Sequence, residues 1–203
     1  TNNRVRVNIV NQNEARAINY DPALFSFDAG APENLPNSNL NFSGFRLHGA
    51  QSQKQAGPPD EDQVGIEGTQ EGNLESDLTP LDEFFVFQGA SYFRAVARGQ
   101  TYGLSARGLA IGAGGRSAEE FPVFREFWIE QRADDQNFVT VYALMDTASA
   151  TGIYTFKITP GEQTIADISA IIFPRVEIEN FGLAPLTSMF LFDETNRHRF
   201  DDF

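Results

Sequence analysis

The sequence predicts an all-β protein built as two packed, mainly antiparallel sheets, on three observations. Apolar residues recur at alternate positions in several short segments, the period of a strand with one buried face. Tight turns rich in Gly, Pro, Asn and Asp separate those segments. No stretch carries the 3.6-residue apolar period of a helix longer than two turns. The 203 residues fit one sandwich domain, and no internal repeat is visible.

In chain order, "VRVNIV" (residues 5–10) places Val5, Val7 and Ile9 on one face. "NYDPALFSFDAGAPENLPNSN" (19–39) breaks the period with three prolines and reads as an irregular connection. "FSGFRLHG" (42–49) is a short amphipathic piece. The stretch from about 51 to 79 has few apolar residues and no period, and is expected to be a flexible acidic loop. From Phe121 onward "FPVFREFWIEQ", "FVTVYALMD", "GIYTFKITP", "TIADISAIIF" and "RVEIEN" read as successive strands of an antiparallel meander. In the third of these, Tyr154, Phe156 and Ile158 face one way and Thr155, Lys157 and Thr159 the other. "PGEQ" makes a turn, since Pro presets φ and Gly accepts positive φ. "AIGAGG" (110–115) also reads as a turn, because no helix follows it to aim amides at a phosphate.

Composition narrows the partners. The chain is 41% hydrophobic, and 19 phenylalanines against one tryptophan make Phe the main core filler. Formal net charge is −13, of which residues 51–83 carry −8 through nine acids and Lys54. An acidic chain without a basic stripe argues against nucleic acid and anionic membrane surfaces. No apolar run approaches the roughly 20 residues that span a bilayer. Cysteine is absent, which excludes disulfides, thiolate ligands and a cysteine nucleophile. His48 and His198, the two histidines, lie far apart, so no metal site and no cofactor is expected. The chain opens at Thr1 on a strand-like segment, as a mature or trimmed chain does, and a cytosolic protein fits that start too.

Two groups of residues stand out as chemistry. In "FREFWIE", Glu126 and Glu130 share a face with Phe124 and Trp128 under simple alternation. A ring between carboxylates suits a sugar, whose C–H face stacks on the ring while its hydroxyls donate to the acids. A solvent-facing strand with a partly covered tryptophan fits the same residues. In residues 87–111, Tyr92, Arg94, Arg98 and Arg107 sit among glycines and aromatics. An enclosed guanidinium needs carbonyl or carboxylate partners. Arg94 and Arg107 therefore either pin irregular backbone or meet a ligand in a cleft. Asp201 and Asp202 are adjacent, so an extended chain points them apart and they do not pair on one bond.

Longer blocks carry a resemblance. "GASYFRAVARGQTYGLSARGLAI", "EEFPVFREFWIE", "VTVYALMDTASATGIYTFKITPG" and "FGLAPLTSMFLF", with "NYDPALFSFDAG" and "FSGFRLHGA" before them, resemble the periplasmic glucans biosynthesis protein G/D family (MdoG/OpgG and OpgD) in the same order. The resemblance covers nearly the whole chain. It implies a galactose-mutarotase-like β-sandwich in the bacterial periplasm that handles osmoregulated glucans with a β-1,2-linked glucose backbone. Some members hydrolyse β-1,2-glucan with acidic residues. In the family a His-Asp-Ser-Asp-Gly motif soon follows the segment resembling "RHRFDDF", and the hydrolytic acids lie there and further on. The resemblance therefore implies a fragment of the first domain, an incomplete sandwich open to self-association, with no catalytic residue in this chain. It leaves Tyr92, Arg94, Arg107, Glu126 and Trp128 as candidate glucan contacts. A non-catalytic glucan-binding scaffold is the alternative, and an interaction module built on the acidic loop is a third. The acidic loop is also longer than the family's connection there.

Overall fold

Large apolar side chains at alternate positions build two sheets that meet face to face. A computed structural model of the chain describes residues 4–19, 42–49, 82–100, 102–115, 118–133 and 135–187, and regular structure there is strand. The acidic segment 51–79, His198, Asp201 and Asp202 fall outside the described residues.

The first strands form a hairpin, β1 (Arg6–Asn11) and β2 (Glu14–Ala17). Its two turn residues, Gln12 and Asn13, take positive φ of 46° and 71°, the twist that lets two strands close tightly. The chain then crosses to the second sheet: β3 (Gly44–Gly49), β4 (Asp82–Gln88), β5 (Tyr92–Ala95) and β6 (Leu104–Arg107). After Gly108 it continues as β7 (Leu109–Ile111). Four long strands follow as the expected meander: β8 (Val123–Glu130), β9 (Val139–Asp146), β10 (Ala150–Thr159) and β11 (Ile165–Pro174). Short strands β12 (Phe181–Leu183) and β13 (Leu186–Thr187) close on β7 and β6.

The spatial orders are β11-β10-β9-β8-β1-β2 and β13-β6-β5-β4-β3, with β12-β7 as a two-stranded extension. One pairing departs from the antiparallel rule. β1 runs parallel to β8, Arg6 beside Glu126 and Val10 beside Glu130. Such a pair needs a long crossover, and here strands β2 to β7 lie between the two in the chain.

Phenylalanine fills the core between the layers. Phe85, Phe87 and Phe93 of one sheet meet Phe124, Phe127 and Phe156 of the other, all buried. Their rings pack mostly edge to face, with Phe87 and Phe156 centroids 4.9 Å apart. Phe84 joins the cluster because β4 carries one extra residue opposite Leu47 and His48, a bulge that turns consecutive phenylalanines inward. The expected alternation in β10 holds: Tyr154, Phe156 and Ile158 are buried while Lys157 is exposed.

Two expectations need correction. "RVEIEN" forms no strand. Its first residue instead turns back on the β9–β10 hairpin, where the Arg175 amide donates to the Ser149 carbonyl at 2.8 Å. The Arg175 guanidinium also reaches the Thr147 and Ala150 carbonyls and Asp146. "AIGAGG" turns only over its last four residues, since Ala110 and Ile111 belong to β7 and Gly112 and Gly114 take positive φ.

Candidate functional site

The inward direction of Phe93 and Ala106 sends their neighbours Tyr92, Arg94, Ser105 and Arg107 to the outer face of the five-stranded sheet. Strand register pairs Tyr92 with Arg107 and Arg94 with Ser105. Arg94 donates Nε to Ser105 Oγ at 2.8 Å and Nη2 to Tyr102 Oη at 3.1 Å. Its guanidinium carbon lies 4.0 Å from the centroid of the exposed Tyr102 ring. Beside this pair is a recess of about 230 Å³ lined by Val86, Gln88, Tyr92, Arg94 and Ser105.

Gly103 makes that arrangement possible. A Cβ there would fall within the Ala95 carbonyl, so only glycine lets the 102–103 backbone press against the end of β5 and present Tyr102 to Arg94.

Arg107 occupies the same face but is more enclosed, its side chain 14% exposed. Nη1 pairs with Glu119 Oε1 at 2.5 Å. The guanidinium carbon sits 5.8 Å from the Tyr92 ring centroid and 5.5 Å from that of Phe121. Its Nε is buried without a hydrogen-bond partner. This geometry is the carboxylate partnership that an enclosed arginine requires, and it fastens the 118–121 connection onto β6.

Glu126 and Trp128 lie elsewhere. β8 carries an extra residue, Arg125, between Phe124 and Glu126, which resets the alternation. Phe124 and Phe127 then both enter the core, while Glu126, Trp128 and Glu130 share the outer face of the six-stranded sheet. Phe124 therefore does not share their face, contrary to the simple period. Glu126 Oε1 accepts from Asn8 Nδ2 at 3.0 Å and lies 3.5 Å from Arg6 Nη1. Glu130 accepts from Tyr142 Oη at 2.8 Å. That hydrogen bond, with burial and the carboxylate charge behind it, raises the Tyr142 pKa.

The five sequence candidates thus divide between opposite outer faces. Tyr92, Arg94 and Arg107 stand on one sheet and Glu126 and Trp128 on the other, with the phenylalanine core between. With sheets about 10 Å apart, no single sugar unit spans both sets. Glu119, Glu126 and Glu130 each already accept from a neighbouring side chain. What the Arg94 face offers is an aromatic surface with fixed donors, which is binding chemistry. Sequence reading missed Tyr102 and Glu119, which sit on connections without a period. Among the described residues no group of three or more acids and histidines could hold a metal ion, and no helix is long and apolar enough to cross a membrane.

Comparison with known proteins adds the family. A family model described as "Periplasmic glucan biosynthesis protein, MdoG" matches residues 1–203. "Glucans biosynthesis protein G" of Shewanella baltica (strain OS155) is 41% identical over 199 residues, which is 98% of this chain and 32% of the relative. The protein of that name from Vibrio cholerae serotype O1 (strain M66-2) shows the same identity and shares, as does "Glucans biosynthesis protein G 1" of Shewanella oneidensis. The chain spans about a third of the length of these curated relatives. Matched from its first residue to its last, this chain belongs to the periplasmic glucan biosynthesis protein (MdoG) family.

Proposed function

We propose that this chain forms part of a periplasmic glucan-handling β-sandwich, and that the outer face of its five-stranded sheet binds β-1,2-linked glucose units. The observation that carries the reading is the Arg94–Tyr102 pair beside its recess. A tyrosine ring supplies the apolar surface on which a sugar's C–H face stacks. A guanidinium locked by Ser105 supplies donors whose direction is already set, so little freedom is lost on binding. The relatives' name, glucans biosynthesis protein G, supports glucan as the sugar in this reading. Arg107, held by Glu119, forms the wall behind Tyr92. On the opposite face, Trp128 between Glu126 and Glu130 is a second, separate candidate contact.

At these two surfaces the role is binding rather than bond cleavage, because among the described residues Glu119, Glu126 and Glu130 are engaged in structural bonds. Any hydrolysis by the whole protein then draws on acids other than these three.

The test is calorimetric titration of the full-length protein with linear β-1,2-glucan. Arg94→Ala and Tyr102→Ala, with folding checked by circular dichroism, are each expected to weaken binding about tenfold, equivalent to roughly 1.4 kcal/mol. Unchanged affinity in both variants would remove the five-stranded face from the reading. Trp128 fluorescence in the same titration reports the other face, and a flat signal would exclude stacking there. Product analysis of the incubated glucan separates hydrolysis from scaffolding.

A further inference from the structure

Four arginines of this fold bring a carboxylate with them: Arg6 pairs with Glu126, Arg46 with Glu83, Arg107 with Glu119 and Arg175 with Asp146. Arg94 is held differently. Its two hydrogen bonds go to hydroxyls, Ser105 Oγ and Tyr102 Oη, which fix its direction and leave its charge whole. Among the described residues no carboxylate forms an ion pair with it. A guanidinium has five N–H donors, and three of these, both on Nη1 included, make no hydrogen bond to a described residue. Nη1 is not enclosed either, since the buried side-chain nitrogens and oxygens without a partner among the described residues are Ser91 Oγ and Arg107 Nε. The side chain lines the recess of about 230 Å³ together with Gln88 and Tyr92.

The chain carries a formal net charge of −13, so acids able to neutralise one arginine are in ample supply. In the strand register Val86 stands between Arg46 and Arg94, and Arg46 has its acid. A ligand lying over Arg94 strips water from the guanidinium. A neutral ligand offers only hydroxyls in return, and the charge stays uncompensated. A carboxylate or phosphate returns that charge and accepts paired N–H bonds from a group already fixed in place. At the Arg107 end of the face Glu119 supplies the negative charge, so a second anion there meets repulsion. The face is therefore asymmetric, compensated at Arg107 and open to an anion at Arg94.

We infer that the sugar bound on this face carries an acidic group, a carboxylate or a phosphate, and that this group seats on Arg94 in the recess that Gln88 also lines. The inference rests on the glucan reading above and adds the charge of the ligand to it.

The experiment is calorimetric titration of the full-length protein with two probes: linear β-1,2-glucan, and the same glucan with part of its C6 hydroxymethyl groups oxidised to carboxylates. The carboxylated glucan is expected to bind about tenfold tighter. That preference should shrink between about 50 mM and about 500 mM salt, as charge pairing does. Arg94→Gln should bring the two glucans to equal affinity. Ser105→Ala, which frees the guanidinium without removing it, should reduce the preference, and it decides the matter alone if Arg94→Gln does not fold. Arg46→Gln removes one charge from the same face and should leave the preference in place. Equal affinity of the two glucans for the wild type would overturn the inference and leave the glucan reading standing. A preference that survives in Arg94→Gln, or that is lost in Arg46→Gln, would overturn it as well. Inorganic phosphate is the third probe: competition at the affinity of the carboxylated glucan would show that Arg94 holds a free ion and not a group borne by the sugar. If neither glucan binds, the glucan reading falls and the inference falls with it.

Discussion

The Tyr154 hydroxyl donates to the Gly108 carbonyl at 2.9 Å, tying the middle of the six-stranded sheet to the corner where β6 passes into β7. That corner packs closely, for a Cβ on Gly108 would come within 2.9 Å of Phe124 Cζ. Burial pushes the Tyr154 hydroxyl up to about 12. The unfolded chain then ionises near the ordinary tyrosine value of about 10 while the folded chain stays protonated. Folded protein holds the extra proton, so stability is full below about pH 10 and falls as pH rises toward about 12. Tyr154→Phe is expected to cost about 1 kcal/mol at neutral pH and to flatten the alkaline loss. The raised pKa of Tyr142 acts in the same direction and leaves a residual slope. Urea unfolding at pH 8 and pH 11 measures both effects, and an unaltered alkaline slope in the variant would refute the assignment.

Glu120 gives the opposite dependence at the acid end. Its carboxylate accepts from the Thr147 hydroxyl, from the Ser149 amide at 2.9 Å and from the Ser149 hydroxyl at 2.7 Å, clasping the β9–β10 turn. Burial pushes its pKa up, but the Ser149 and Thr147 hydroxyls and backbone amides together outweigh that and leave it lowered. A depressed folded pKa means stability that is present above the ordinary glutamate range and lost as pH falls through the folded value. Glu120→Gln is expected to make the thermal midpoint less sensitive to pH between about 5 and 3, around the ordinary glutamate pKa of about 4.3. Equal sensitivity in wild type and variant would show that other carboxylates set the acid limit.

Legibility in the sequence followed locality. Tyr154, Phe156 and Ile158 were readable because their burial depends only on alternation within one strand, and the meander because its turns are short. Phe124 was misplaced because a one-residue bulge at Arg125 leaves no mark in a period of two. "RVEIEN" alternates like a strand, yet the bonds that Arg175 makes to the preceding hairpin hold its start as a bend. The parallel partner of β1 lies more than a hundred residues away, beyond any local pattern. At the candidate site, Arg94 and Arg107 stood out because a guanidinium among apolar residues demands partners. The identities of those partners, Tyr102 and Glu119, emerge only when separate connections fold over the sheet.

Gly103 connects backbone geometry to the Arg94 surface. Because a Cβ there collides with backbone and not with a movable side chain, Gly103→Ala forces the 102–104 segment away from β5. The expected cost is about 2 kcal/mol of stability, within the range for overpacking. Tyr102 moves with the segment, so the Arg94 hydrogen bond to its hydroxyl lengthens or breaks. A crystal structure of the variant tests the displacement directly. Retention of the 4.0 Å arginine–ring stacking would show that Tyr102 holds its place without the glycine.

Arg107 and Glu119 test whether that face is braced by charge. Their pair is partly enclosed, with side chains 14% and 30% exposed, so its worth falls between that of surface pairs and fully buried ones. Removing Glu119 leaves a guanidinium held between Tyr92 and Phe121 with its Nε still unpartnered. Glu119→Ala is therefore expected to destabilise the fold by about 2 kcal/mol. Arg107→Met keeps the stem's packing and removes the charge, so it is expected to cost less. In the double variant the loss should be well below the sum, because the uncompensated charge is gone. Equilibrium urea unfolding of the four proteins closes the cycle. Strict additivity would mean that the 2.5 Å contact contributes nothing, and that packing against Tyr92 and Phe121 alone holds the 118–121 connection to β6.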